Sequence, residues 1–134
     1  MFCLTLDPSH GSLIKKLSYI PVGLGNEKFP SYFLKDNEVE NISKKNLYYG
    51  EYTFHYWIWK NHLKNIKTEW VGFCQYRKFF VKETVSNNDL SFENLKKISI
   101  NSIDQNDLNY QCILGKKFSV ENFKLSKIIK NHLK

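Results

Sequence analysis

Arg77 and Lys78 stand side by side where an apolar run ends, and two adjacent cations there could neutralise an anion. The run Trp70-Val71-Gly72-Phe73-Cys74 turns abruptly polar at Gln75-Tyr76-Arg77-Lys78. If the run is a strand, its carboxyl end is where open α/β sheets bind ligands. Arg77 offers a planar fork of donors to a phosphate and Lys78 a point charge, so together they could hold a diphosphate without a metal. A surface turn with two solvated cations is the competing reading. Asn41, Ser43, Lys45 and Asn46 supply further donors just before a strongly patterned helix, whose free N–H groups and dipole favour a phosphate. The same residues could equally do no more than cap that helix. Glu51 and His55 lie one helical turn apart, with His62 on the same side. A carboxylate beside an imidazole can act as an acid–base pair, and an exposed helix pair has the same spacing. No Asp-x-Asp motif occurs, so no metal is expected.

Composition narrows the partners. Twenty Lys+Arg against thirteen Asp+Glu leave a net charge of +7, which suits a nucleotide diphosphate, an anionic membrane surface or nucleic acid. Only Arg77 is arginine, and nucleic-acid readers use several arginines for bidentate contacts, so nucleic acid is the weakest of the three. Cys3, Cys74 and Cys112 are odd in number and far apart, against both a disulfide framework and a zinc site. Cys74 and Cys112 sit in apolar runs and are expected to be buried; free thiols suit a cytoplasmic location. No stretch reads as a signal peptide or a membrane span.

The elements that must position these residues alternate between strand and helix, the pattern of an α/β sheet with parallel pairs. Phe2 to Leu6 and Tyr19 to Val22 read as short strands, with Pro21 marking an edge or a strand end. Ser9 could cap a helix through Leu17, with Leu13, Ile14 and Leu17 on one face. Gly23 to Asn46 is a long connection. From Asn46 to Ile66 the residues Tyr49, Tyr52, Tyr56, Trp59, Leu63 and Ile66 recur at helical spacing, which predicts one continuous helix; Phe54 and Ile58 make a second apolar patch, so the helix is expected to be covered on more than one face. Thr53, Trp57, Lys60 and Asn61 form a strip between its apolar faces, either hydrogen-bonded structure or a site. Glu69 to Tyr76 predicts a doubly buried strand, Phe92 to Ile98 a short helix, and Tyr110 to Leu114 a last strand. Ser119 to Lys134 predicts a helix with Lys124, Lys127, Lys130 and Lys134 on one side. It is either a core helix with a solvated lysine face or a basic surface for an anionic membrane. The expectation is one domain over residues 1–134, incomplete because the last helix pattern stops without a stop signal.

Several ordered blocks carry a resemblance: Tyr19-Ile20-Pro21-Val22-Gly23, Asn41 to Asn46, Tyr49-Gly50-Glu51-Tyr52-Thr53, Tyr56 to Asn61, and Gly72 to Phe79. In these blocks the chain resembles bacterial domain-of-unknown-function family 4422, found among products of capsule, exopolysaccharide and lipopolysaccharide synthesis. The resemblance implies a partial glycosyltransferase-A-like sheet flanked by helices, with a nucleotide-diphosphate sugar as donor, a glycan as acceptor, and work on the cytoplasmic side of the membrane. It carries Glu51 and Arg77 forward as catalytic. Asn41, Ser43, Lys45, Asn46, Thr53, Trp57, Lys60, Asn61, Gln75, Tyr76 and Lys78 follow as substrate-binding. Three departures matter: Glu40 where the family has Asp, Gln75 where it has His, and Lys78 where Arg is common. A non-catalytic fragment or carbohydrate-binding partner is the alternative reading.

Overall fold

A computed structural model of the chain describes residues 1–83 and 91–116. Four strands form a parallel sheet in the order β3-β2-β1-β4: β1 (Phe2–Thr5), β2 (Ile20–Gly23), β3 (Leu34–Lys35) and β4 (Phe73–Gln75). Cys3 of β1 aligns with Pro21 on one side and Cys74 on the other. Pro21 therefore lies in an inner strand and not at an edge of the sheet, but it stands second in β2, near the strand end that is the other expectation. Ile20 N–H and Leu24 N–H point to β1, at Met1 O and Thr5 O, so Pro21 faces the other way. There β3 begins only opposite Val22, and the missing N–H of proline breaks no ladder bond.

Alternation along the strands makes two cores, one on each face of the sheet. Leu4 and Val22 face α3 (Tyr52–Asn61), meeting Phe54, Trp57 and Ile58, with Phe2 and Phe73 packed against them. Cys3 and Cys74 face the other way, onto Ile14 of α1 (Gly11–Lys16), Leu17 just after it, and Phe92 and Leu95 of α4 (Phe92–Ile98). Full burial of a side chain such as Phe54 contributes roughly 2–3 kcal/mol. The structure is thus an α/β layering with helices on both faces of a parallel sheet. Tyr19 O–H donates to Ile100 O at 2.9 Å, tying the segment after α4 to the sheet.

Turn chemistry sets the lengths of these elements. Asp7, rather than Ser9, caps the chain after β1, its carboxylate accepting from Ser9 N–H at 2.8 Å. Gly23 must be glycine because a Cβ would stand 2.4 Å from the Phe29 ring. The long connection is not featureless: it holds β3 and buries Phe29, Phe33 and Asp36.

The segment 46–66 departs furthest from expectation. It is not one helix but α2 (Asn46–Tyr49), a break at Gly50, then α3, then a short 3-10 turn at Leu63–Asn65. Gly50 takes φ 53°, and its carbonyl accepts from Asn46 Nδ2 at 2.8 Å and Thr53 Oγ1 at 3.0 Å. Those two side chains fix the break. The buried face is Thr53, Phe54, Trp57 and Ile58, whereas Tyr49, Tyr52, Trp59 and Leu63 of the expected core stripe are exposed. Tyrosine and tryptophan carry polar tips, so their helical spacing does not by itself specify burial.

The strand expected over Glu69 to Tyr76 is only Phe73–Gln75, and Tyr110 to Leu114 forms no strand. Cys112 is exposed, not buried, because no neighbour pairs with that segment among the described residues. The helix expected from Ser119 lies outside the described residues.

Candidate functional site

Parallel strands bring their carboxyl ends to one edge of the sheet, and a cleft of about 530 Å³ opens there. Thr5, Leu6 and Asp7 enter it from the end of β1, Leu24 from β2, and Gln75, Tyr76 and Arg77 from β4. Asn46, Gly50 and Glu51 come from the helix break, which explains why the break matters: it turns Glu51 towards the strand ends. Gln75 Nε2 donates to Glu51 Oε1, joining the break to β4.

The turn after β4 is strained. Lys78 N–H donates to Gln75 O at 2.9 Å, closing a four-residue turn in which Arg77 has φ 81°. That third position normally takes glycine or asparagine, and an arginine there costs on the order of 1–2 kcal/mol. Among the described residues neither Arg77 nor Lys78 is paired with a carboxylate. Arg77 is exposed and lines the cleft; an unpaired guanidinium at a strained strand end is a donor fork available to an anionic ligand.

The family model described as Domain of unknown function (DUF4422) matches residues 8–134. The chain belongs to that family. No curated protein and no solved structure matches it.

Of the residues singled out in the sequence of this DUF4422 chain, Asn46, Glu51, Gln75, Tyr76 and Arg77 meet in the cleft. Lys78 does not join Arg77. It lines a second cleft of about 860 Å³ on the far side of the Glu51–Gln75 bond, with His55, Phe73, Phe79 and Phe80. His55 Nε2 is buried there without a hydrogen-bond partner among the described residues. Burial lowers the His55 pKa and the nearby Glu51 carboxylate opposes the shift, so the ring is held neutral.

The remaining residues hold the scaffold. Asn41 Oδ1 accepts from Ser43 Oγ at 2.9 Å and Ser43 N–H at 3.3 Å, closing the turn that leads into α2. Lys45 is exposed and lines neither cleft. Trp57 Nε1 donates to Glu38 O at 2.8 Å, and Asn61 Nδ2 to Glu40 O at 2.9 Å. Lys60 Nζ pairs with Glu40 Oε1 at 3.2 Å, and Tyr56 O–H donates to the same oxygen at 2.8 Å. Those bonds, Tyr56 first, hold the Glu40 carboxyl below its ordinary range. Trp57, Lys60 and Asn61 thus clamp the loop at residues 38–40 against α3.

Sequence reasoning missed three groups. His10 stacks on Tyr76 with ring centres 3.5 Å apart, its Nδ1 lying 2.8 Å from Thr5 Oγ1. Asp7 lies 3.7 Å from His10 Nε2, and hydrogen bonds from Ser9 keep its carboxyl below the ordinary range. Both follow directly on β1, and position after a strand end was the available signal. Asp36 is almost fully buried behind Thr53, and burial raises its pKa, opposed by its hydrogen bond to Thr53. Its Oδ2 has no partner among the described residues. Asn46 Nδ2 reaches the same Thr53 hydroxyl at 3.2 Å, so a polar chain runs from Asp36 to the cleft wall.

Proposed function

We propose that this chain carries the donor-binding part of a nucleotide-sugar-dependent glycosyltransferase of cell-surface polysaccharide synthesis, built on a glycosyltransferase-A-like sheet. The observation that carries the reading is Arg77, held at positive φ and without a carboxylate partner among the described residues, at the strand-end cleft. In this reading the guanidinium neutralises the diphosphate as the bond from the anomeric carbon to the phosphate oxygen breaks. The acceptor oxygen bonds to that carbon, and Glu51 takes the hydroxyl proton. Gln75 orients Glu51 through their hydrogen bond. That same bond favours a second reading, a non-catalytic carbohydrate-binding partner, because the Glu51 oxygen that accepts from the Gln75 amide is already occupied.

The test is a thermal-shift screen of the full chain against uridine, guanosine and thymidine diphosphate sugars, with and without manganese, followed by a turnover assay. One nucleotide sugar is expected to raise the melting temperature irrespective of manganese, and Arg77→Ala to remove the shift. No shift with any of them, from a chain that melts cooperatively, would overturn the donor site. Sugar binding without turnover would select the second reading.

A further inference from the structure

The α2–α3 segment keeps large side chains in water that a soluble surface has no use for. Leu47 is 86% exposed, Tyr48 82% and Trp59 58%, and Tyr49, Tyr52 and Leu63 are exposed beside them in sequence. On α3 the exposed Tyr52 and Trp59 flank the half-buried Tyr56. Tyr52, Tyr56 and Trp59 follow one another at spacings of four and three, which puts them on one side of the helix. The Tyr56 and Trp59 rings touch edge to face at 5.7 Å, and Lys60 Nζ lies 5.7 Å and 4.6 Å from their centres.

Charge on this segment is mostly positive. From Lys44 to Lys67 there are five lysines (44, 45, 60, 64 and 67) against Glu51 alone, so five minus one gives +4 of the chain's +7. Glu51 is turned into the cleft and bonded to Gln75, and Lys60 is paired with Glu40, which leaves Lys44, Lys45, Lys64 and Lys67 exposed and without a carboxylate partner among the described residues. Exposed tyrosine and tryptophan with a rim of lysine is the composition of a surface lying in a lipid headgroup layer. The rings put an apolar body inward and a polar tip outward, and the lysine stems reach past them to the phosphates. A protein partner would favour arginine and select against lysine, the reverse of what stands here.

We propose that α2, α3 and the turn through Leu63 form a face that docks on an anionic lipid bilayer. The face lies in the interface without crossing it; among the described residues no helix is long and apolar enough to span a membrane. Anionic headgroups attract the lysines within about a Debye length, roughly 8–10 Å, and the aromatic rings then bury against the acyl boundary. This inference does not depend on the donor-site reading.

The experiment is flotation of the full chain with phosphatidylcholine vesicles made with or without phosphatidylglycerol, over a salt series. Binding is expected only with phosphatidylglycerol and is expected to fall as salt rises. Tyr48→Ser with Trp59→Ser should weaken it by roughly tenfold, as should Lys64→Glu with Lys67→Glu. Lys96→Glu with Lys97→Glu removes the same charge from α4 and should leave most of the binding in place. Circular dichroism melts confirm that each variant is folded, and Tyr48→Ser alone, at a fully solvated position, serves if the double variant is not. Failure to float with acidic lipid overturns the proposal, and so does equal loss in both lysine pairs, which would mean a net-charge effect only. A dimer of the wild-type chain abolished by Tyr48→Ser with Trp59→Ser would also overturn it, by assigning the face to a second copy.

Discussion

The loop clamp on α3 and the turn after β4 are both rich in polar groups, each from a block that carries the family resemblance, and they use them in opposite ways. In the clamp, Trp57, Lys60 and Asn61 each find a partner on residues 38–40, and Glu40 is held by two groups at once. In the turn, Arg77 adopts an unfavourable backbone conformation and, among the described residues, meets no carboxylate. Backbone strain is common to both, with Val39 at φ 54° in the clamped loop and Arg77 at φ 81° in the turn, so the difference lies in pairing: the clamp's polar groups are engaged within the chain, and the Arg77 guanidinium is left to the cleft. Motif membership alone does not separate the two, because both lie in blocks that carry the family resemblance.

The sharpest way to break this comparison is Trp57→Ala. The indole is nearly fully buried between the sheet and the clamped loop, so its loss is expected to cost about 3–5 kcal/mol of unfolding free energy, read by urea denaturation. A cost below about 1 kcal/mol would mean that the clamp does not support the fold.

Arg77→Gly tests the other side. Glycine accepts positive φ without strain, so stability should hold or rise by about 1 kcal/mol, while the nucleotide-sugar shift disappears. If the variant is less stable than wild type, Arg77 is a structural residue and the contrast with the clamp fails.

The smallest expected effect belongs to Asp36, the scaffold carboxyl with an unpartnered oxygen. Its pKa is raised in the folded chain above its ordinary value of 3.8, so the folded state holds the proton more tightly than the unfolded state. The contribution of Asp36 is therefore most favourable below that ordinary value and declines as pH rises through the folded one. Asp36→Asn should remove that decline and stabilise the chain at neutral pH, as urea melts over a pH series would report. Parallel profiles for wild type and variant would show that Asp36 is ionised at no cost and belongs with the satisfied groups.

Local pattern made some of this legible. The run Phe2 to Leu6, the run Tyr19 to Val22 and the helix Phe92 to Ile98 are short apolar segments set off by polar residues, and each forms the expected element. Chemistry by residue type led to Arg77, Glu51 and Asn46, which do share a cleft. In segment 46–66 the patch of Phe54 and Ile58 is buried as expected, and the aromatic stripe is not. Aromatic residues outnumber aliphatic ones there, and an aromatic stripe fits the helical period as well as the true buried face does. Gly50 was the visible sign of a break, but the clamp on its carbonyl by Asn46 and Thr53 needs coordinates to see. Asp7, His10 and Asp36 carry no period at all, since each stands just past a strand whose partners come from distant parts of the chain.

Cys3 and Cys74 face each other across β1 and β4, both free and buried, while Cys112 is exposed. Hydrogen bonding to Cys74 and burial raise the Cys3 pKa, and only a thiolate reacts readily with an alkylating reagent. Cys112 should therefore be modified at once, and the inner pair only when β1 and β4 part. The lag between the two reactions measures how often the centre of the sheet comes open, so the chain carries its own clock for the breathing of its core.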